Sequence, residues 1–319
     1  MAETPLCAAK APAKVILVGE HWVVHGGRAL ASSVGLYAKA RCRRRSGAAL
    51  VRALDLGLEE DFAQGCDRLC NLMAAYRYLR EAIGEAGFEC SIESEIPPGA
   101  GLGSSAAVAV AFSAAYMCLL RGGVDYGLVN RAAFEAEKVA HGNPSGIDNT
   151  VSTYGGLVLY RRGEAPRIVS LPRGRLRLLV VDTRVSRSTR IAVERFRGEL
   201  AALQPGLRAA LMQLNDLLVG YAVDAVSRGD AATLGRVMNV AHGLLQAMGV
   251  SSGILDTVVN ELRARGAYGA KLSGAGIGGV VVAATPPEKK NEIARSLSER
   301  GLRVYEVSLP SGGVSLLRR

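Results

Sequence analysis

The pattern of apolar and polar positions divides the chain into a block of strands and blocks of helices. Period-2 alternation predicts strands at 11–19, 22–34, 36–43, 88–96 and 175–183, with a hairpin or connector at 157–172. Apolar residues at helical spacing predict helices at 67–86, 104–120, 126–141, 188–203, 206–228, 230–248, 252–265 and 287–300, before a last strand at 303–309. Because strands and helices do not alternate strictly, this order predicts an α+β fold.

The length of the chain sets its domain organisation. At 319 residues, of which 49% are hydrophobic, the chain suits one large or two medium globular domains with ample core. We find no internal repeat and no low-complexity linker. We therefore predict two domains, 1–165 and 166–319, that pack tightly around a cleft.

Residues 97–107, with the sequence PPGAGLGSSAA, predict a phosphate-binding loop between a strand and a helix. Three alternating glycines allow a sharp turn that leaves backbone N–H groups free to point inward. Ser104 and Ser105 open the apolar run of the predicted helix. The N–H groups and the dipole at a helix N-terminus favour an anion, so a polyphosphate is the natural ligand.

Two better-known phosphate loops do not fit these residues. A Walker loop requires a lysine after its last glycine, and none follows here. A dinucleotide fingerprint requires a glycine where Ser104 stands. The segment 271–284, KLSGAGIGGVVVAA, does contain a formal G-x-G-x-x-G, but its valine run favours a strand over a helix. We predict a glycine turn between two strands there, packed close to the first loop.

These motifs resemble those of a known family. The pattern P-x-x-x-G-L-G-S-S-A-A resembles the phosphate loop of the GHMP kinases, and APAKVILVGEHWVVHGGRALA at 11–31 and the segment 271–284 resemble two further motifs of that superfamily, in its order. Within it, EAEKVAHGNPSGIDNTVSTYGG at 135–156 and DTRVSRSTR at 182–190 resemble the mevalonate kinase branch. The resemblance implies the two-domain GHMP kinase fold, with the active site in the cleft between the domains.

The resemblance also implies a reaction: transfer of the ATP γ-phosphate to the 5-hydroxyl of mevalonate, giving 5-phosphomevalonate, with Mg²⁺ as cofactor. Such a transfer needs an aligned nucleophile, a bridging cation and positive charge where negative charge develops. By resemblance, Asp148 orients the hydroxyl and takes its proton, and Lys14 lies between Asp148 and the γ-phosphate. Ser105 and Glu137 supply the oxygen ligands that Mg²⁺ prefers.

The remaining implied site residues bind phosphate or substrate. The residues expected to bind the phosphates are Pro98, Gly99, Ala100, Gly101, Leu102, Gly103, Ser104, Ser105, Ala106, Gly274 and Gly276. The substrate contacts are expected from Glu20, His21 and Thr183, with Trp22, the only tryptophan, nearby. Ile277 stands where the family has a glycine, so the resemblance does not define the shape of that loop.

Several alternatives stay open on sequence alone. Phosphomevalonate, homoserine or galactose kinases share the superfamily, and Arg187 and Arg190 offer the extra cations that a second substrate phosphate needs. A decarboxylase of the same superfamily is less favoured, because the segments 135–156 and 182–190 do not resemble its pattern. A non-catalytic binder on the same fold is disfavoured because all four residues implied for chemistry and metal binding are present.

The net charge of +10 points to anionic partners. The arginines are dispersed and the aromatic residues few, so we expect no nucleic-acid partner. No apolar run reaches the roughly 18 residues of a membrane span, and the first residues lack a signal-peptide pattern. We therefore expect a cytoplasmic enzyme with mevalonate and ATP as small-molecule substrates and no membrane partner, and we leave a homodimer open.

Six cysteines are scattered along the chain without a C-x-x-C pair. In a cytoplasmic chain of this size, they are expected to be reduced, buried thiols and not a disulfide set. No histidine near Cys66 and Cys70 supports a zinc site, so we expect no structural metal.

Overall fold

The computed structural model describes residues 6–47, 49–169, 176–185 and 189–317. The strands in these ranges are Leu6–Val18 (β1), Arg28–Arg44 (β2), Ala49–Ala53 (β3), Leu58–Asp61 (β4), Phe88–Ser94 (β5), Leu157–Arg161 (β6), Arg167–Val169 (β7), Leu176–Asp182 (β8), Gly269–Ser273 (β9), Val280–Ala284 (β10), Arg303–Leu309 (β11) and Ser315–Leu316 (β12). The helices are Cys70–Ile83 (α1), Ser104–Arg121 (α2), Tyr126–His141 (α3), Ile147–Tyr154 (α4), Thr189–Ala202 (α5), Pro205–Ser227 (α6), Ala231–Ala247 (α7), Gly253–Ala264 (α8) and Lys290–Glu299 (α9).

The predicted elements are largely present, and the α+β prediction is confirmed. The two strands predicted at 22–34 and 36–43 form the single strand β2, which is preceded by a short 3-10 helix at Trp22–His25. The sequence prediction missed α4, which has only eight residues and begins directly after the predicted Asn-Pro-Ser-Gly turn. It also missed β3 and β4, each too short for alternation to show.

Two sheets form the framework of two domains. The larger sheet has the order β12-β1-β2-β5-β3-β4, and β6 and β7 extend it alongside β2. Its strands pair antiparallel except β3 and β5, which are parallel. The smaller antiparallel sheet has the order β11-β8-β10-β9. The boundary near residue 165 stays a prediction, and two strands beyond it, β7 and β12, join the larger sheet.

Helix α2 lies in the core. It is long and apolar enough to cross a membrane by length and composition, but 67% of its residues are buried inside the fold. It packs against β1 and β2 on one side and against α1 and α3 on the other. Burial within the fold accounts for its apolar composition, and its N-terminus is thereby held rigidly beside β1.

The six cysteines correct one prediction. The structure pairs them in three disulfides, Cys7–Cys118, Cys42–Cys90 and Cys66–Cys70, so the expectation of reduced thiols was wrong. Cys42 and Cys90 lie opposite each other on β2 and β5, and the Cys7–Cys118 bond joins β1 to α2. The sequence separations of 48 and 111 residues gave no sign of these contacts, because strand pairing and helix packing create them.

We expect the two long-range disulfides to stabilise the fold far more than the local one. Closing loops of 111 and 48 residues restricts the unfolded chain by about 4–5 kcal/mol each, against about 2 kcal/mol for a separation of 4. The double variants Cys7→Ser/Cys118→Ser and Cys42→Ser/Cys90→Ser should each lower the melting temperature more than Cys66→Ser/Cys70→Ser does. Thermal unfolding with and without reductant, together with a free-thiol count on the unfolded chain, measures this. Six free thiols in freshly purified protein would contradict the pairing.

Candidate active site

Lys14 and Asp148 form an ion pair between β1 and α4. Their Nζ and Oδ1 atoms are 3.0 Å apart, and the side chains are 3% and 29% exposed respectively. The charge of the buried lysine is therefore balanced by a carboxylate that is still accessible to solvent. The sequence prediction had placed Asp148 on a loop or at the start of an element, and it is the second residue of α4.

Two hydrogen bonds hold this part of α4 in place. The Ser152 hydroxyl donates to the carbonyl of Pro12 at 2.8 Å, which fixes α4 to the strand that contains Lys14. The Tyr160 hydroxyl donates to the carbonyl of Ser145 at 2.7 Å, just before the helix. The carboxylate of Asp148 is thus positioned by contacts to two strands of the larger sheet.

The glycine loop is attached to the same strand. The backbone N–H of Lys14 donates to the carbonyl of Leu102 at 2.9 Å. Gly103 has a φ of 72°, a conformation that favours glycine, and a Cβ there would come within a tight 3.0 Å of the Lys14 side chain. Helix α2 begins at the next residue, and no side chain in the described structure caps it. Its first N–H groups can therefore bind an anion beside Lys14.

The second glycine segment forms the predicted turn between two strands, β9 and β10. Gly276 has a φ of 81°, and a Cβ there would lie 2.1 Å from the carbonyl oxygen of Val250. The next residue, Ile277, adopts the left-handed conformation with a φ of 64° and donates its N–H to the same carbonyl at 2.8 Å. The turn thus keeps a glycine-like backbone although isoleucine occupies the position. Gly274 lines the main cavity.

Ser105 and Glu137 have the features of a cation site. Ser105 Oγ and Glu137 Oε1 are both buried and make no hydrogen bond of normal geometry in the described structure, although the Ser105 hydroxyl lies close enough to Glu137 to oppose the rise in the pKa of its carboxyl. Burial, and secondarily the charge of Asp148, raises the pKa of Glu137 to about 7. The other carboxylate oxygen of Glu137 lies 3.6 Å from His141 Nε2. Two buried, unsatisfied oxygens next to a phosphate loop fit Mg²⁺, which binds proteins through few ligands and completes its shell with phosphates and water.

A cavity of about 520 Å³ opens beside Asp148. Its wall combines residues of the larger sheet and α4 with the first turns of α5. The polar and charged residues among those that line it are Glu20, His21, His25, Glu137, His141, Asn143, Ser145, Asp148, Asn149, Thr189, Arg190, Glu194 and Arg197. The cavity is thus bounded by both domains, as the cleft prediction requires.

Glu20 and His21 are both held by the segment that contains β9. The Nζ of Lys271 donates to Glu20 Oε1, and both side chains are fully buried. Burial raises the pKa of Glu20, while the charge of Lys271 opposes that rise. The His21 ring contacts the carbonyl of Ala275 at 2.8 Å through Nε2 and stacks on Phe196, with centroids 4.9 Å apart.

Two of the residues expected near the substrate do not line this cavity. Thr183 is not part of the cavity wall, and its hydroxyl donates to the carbonyl of Gly279 at 2.7 Å. Trp22 is buried in the core of the smaller domain, edge-on to Phe196, because its 3-10 helix turns it away from the cavity. Arg187 lies outside the described residues.

Residues of the site that were not singled out from the sequence include Thr189, Glu194, Arg197 and Lys271. Thr189 belongs to the quoted segment 182–190, but only the start of α5 at this residue brings it to the cavity. Lys271 opens the second glycine segment. The signal for it was a lysine inside an otherwise apolar strand, which indicates a buried charge with a partner.

Comparison with known proteins agrees with this geometry. The family model of the GHMP kinase N-terminal domain matches residues 71–156, and that of the GHMP kinase C-terminal domain matches 222–302. The mevalonate kinase of Aeropyrum pernix is 35% identical over 97% of both chains. Human mevalonate kinase is 32% identical over 96% of this chain and 93% of its own.

Solved structures show the same relationship. The crystal structure of L. major mevalonate kinase in complex with R-mevalonate has a TM-score of 0.81 and 30% identity, and the match covers 95% of this chain and 96% of that one. The crystal structure of Methanococcus jannaschii mevalonate kinase, at 22% identity, has a TM-score of 0.83 over 97% of this chain and 99% of its own, and supports the fold. With these matches over nearly its full length, the chain belongs to the GHMP kinases and, among them, to the mevalonate kinase family.

Proposed function

We propose that this protein transfers the γ-phosphate of ATP to the 5-hydroxyl of mevalonate. The observation that supports it best is the Lys14–Asp148 pair, which lies between the uncapped N-terminus of α2 and a cavity of suitable size for a small acid. A buried lysine beside a carboxylate, next to an anion site, is the arrangement that in-line phosphoryl transfer to an alcohol requires.

Each polar group has a defined task in this proposal. The carboxylate of Asp148 accepts the hydrogen bond of the substrate hydroxyl, orients it and receives its proton. The ammonium of Lys14 stabilises the negative charge that develops on the transferred group. The N–H groups of the glycine loop, at 99–106, hold the phosphates. Bound between Ser105 and Glu137, Mg²⁺ would neutralise charge on the β- and γ-phosphates.

The helix α5 supplies the recognition of the acid. Arg190 and Arg197 line the cavity opposite the larger sheet, where they can pair with the mevalonate carboxylate. We assign the hydroxyl contact that the sequence suggested for Thr183 to Thr189, which lies in the cavity wall. Glu194 lines the same cavity, and its negative charge disfavours a substrate that carries its own phosphate.

A panel of acceptors tests the proposal. With MgATP, ADP release should require mevalonate and should not occur at a comparable rate with phosphomevalonate, homoserine or galactose. Asp148→Asn should lower kcat at least about 100-fold with little change in the KM for ATP, because it removes the proton acceptor and leaves the phosphate loop intact. Turnover of another acceptor, or near-normal kcat in Asp148→Asn, would contradict the proposal.

Replacement of Glu137 tests the metal assignment. Glu137→Gln should raise the Mg²⁺ concentration for half-maximal activity at least about tenfold, the size of loss seen even for outer-shell substitutions. Because the pKa of Glu137 is raised to about 7, this concentration should also increase in the wild type as the pH falls from 8 to 6, since the protonated acid does not bind a cation. In Glu137→Gln that extra pH dependence should be absent.

Glu135→Gln is the matched control, because Glu135 is on the same helix and pairs with Lys138 at its surface. Its Mg²⁺ titration should equal that of the wild type. An equal shift in both variants would show that Glu137 acts only through the surface charge of α3.

The two threonines give a paired test of substrate contact. Thr189→Val should raise the KM for mevalonate about tenfold, the effect of one lost hydrogen bond. Thr183→Val should instead lower the melting temperature, because it leaves the carbonyl of Gly279 without its hydroxyl donor. Steady-state kinetics and thermal unfolding of both variants measure this. A selective effect of Thr183→Val on the KM for mevalonate would return the assignment to Thr183.

A further inference from the structure

We infer that Lys271 is a positioning residue of the active site, which fixes Glu20 for contact with the acceptor and keeps Lys14 paired with Asp148. The inference rests on the proposed function. It adds a residue from the second domain to a reaction centre whose acid, base and phosphate loop all come from the first.

The geometry of the ion pair is the first argument. Lys271 is 0% and Glu20 1% exposed, although 251 residues separate them in the sequence. The Nζ of Lys271 donates to Glu20 Oε1 and to the carbonyl of Leu272. A buried ion pair is seldom favourable for stability by itself, so its presence at the boundary between two domains points to another role.

The second argument is an oxygen that lacks a partner. Glu20 lines the cavity, and its Oε2 is buried without a hydrogen-bond partner among the described residues. Lys271 occupies Oε1 and so fixes the plane of the carboxylate. An ionised carboxylate accepts hydrogen bonds at both oxygens, and the acceptor alcohol carries the hydroxyl groups that Oε2 needs.

Charge balance is the third argument. Burial raises the pKa of Glu20 and lowers that of Lys271, and the charge of each partner opposes the shift of the other. Lys14 also lies close enough for its charge to lower both pKa values, as the smallest of these influences. Two carboxylates and two lysines therefore share one buried region, and each carboxylate has its own cation. Without Lys271, Glu20 would compete with Asp148 and the γ-phosphate for the charge of Lys14.

Hydrogen bonds on both sides of Lys271 fix its position on β9. Ser273, two residues further along β9, accepts from the N–H of Ile16 at 3.0 Å and donates to its carbonyl at 3.1 Å, so β9 is fixed to β1. On the other side, His242 accepts from the N–H of Leu272 at 3.4 Å and contacts Asp256 at 3.1 Å. Burial, aided by the charge of Lys271, lowers the pKa of His242 to about 4, so this ring is neutral and does not compete for Glu20.

Variants of the pair separate positioning from simple stability. Lys271→Met should lower kcat/KM for mevalonate about 100-fold, as expected when one partner of a buried pair is removed. The KM for ATP should stay within about threefold, because the glycine loop at 99–106 is attached to Lys14 through Leu102, while Lys271 pairs with Glu20. The double variant Glu20→Gln/Lys271→Met leaves no unpaired buried charge, so it should regain the melting temperature that Lys271→Met loses but not its kcat/KM.

The matched control is a lysine–glutamate pair far from the cavity. Lys290 pairs with Glu306 between α9 and β11, and Lys290→Met should leave kcat/KM unchanged. Recovery of both stability and kcat/KM in the double variant would overturn the inference and leave the pair a structural one. If Lys271→Met does not fold, the double variant Glu20→Gln/Lys271→Met decides alone. A kcat/KM of this variant equal to that of the wild type overturns the inference, and a loss of about 100-fold supports it.

The wild-type acceptor panel distinguishes failure of this inference from failure of the proposed function. If the wild type phosphorylates a different acceptor, the proposed function fails, and the same variants are then measured with that acceptor. A selective loss of kcat/KM for that acceptor in the double variant supports the role of Lys271, and an unchanged value overturns it.

Discussion

Strand β1 is the common support of the site, and the other elements of the reaction centre are attached to it within a few residues of Lys14. The carbonyl of Pro12 accepts from α4, the N–H of Lys14 donates to the glycine loop, and Ile16 bonds to Ser273 of β9. These three connections fix the Lys14–Asp148 pair, the glycine loop and the second domain relative to one strand. A displacement of β1 would therefore disturb all of them together.

The charges of the site follow from burial. Burying an unpaired charge is unfavourable because of the free energy of desolvation, and pairing each lysine with a carboxylate offsets it. Lys14 forms an ion pair with Asp148, which is still accessible to solvent. Lys271 forms an ion pair with Glu20, which solvent does not reach. Glu137 and Ser105 remain unsatisfied, and their position beside the phosphate loop gives a physical reason for a cation there. The pairing pattern thus separates a partly exposed pair from a fully buried one.

The two domains meet at this site and also pack against each other away from it, where α6 and β11 contact β2. The main hydrophobic core includes residues of β1 and α2 together with Leu178 and Val180 of β8, so the domains share packing. His21 and Glu20, from the first domain, both bond to the segment 271–275 of the second.

Local sequence determined the parts of this protein that depend on short-range physics. The three glycines before Ser104, the turn before Asp148 and the apolar spacing of α2 and α3 each indicated their structure, because backbone sterics and helix periodicity act over a few residues. The motifs indicated the family, which the comparisons confirm, and the site residues that they imply stay a prediction. Tertiary structure decided what depends on distant pairing: the disulfides of Cys42 and Cys7, the choice of Thr189 over Thr183 in the cavity wall, and the partner of Glu20, 251 residues away. No local pattern encodes these contacts, since only the packing of β1, β2, β9 and α5 brings the residues together.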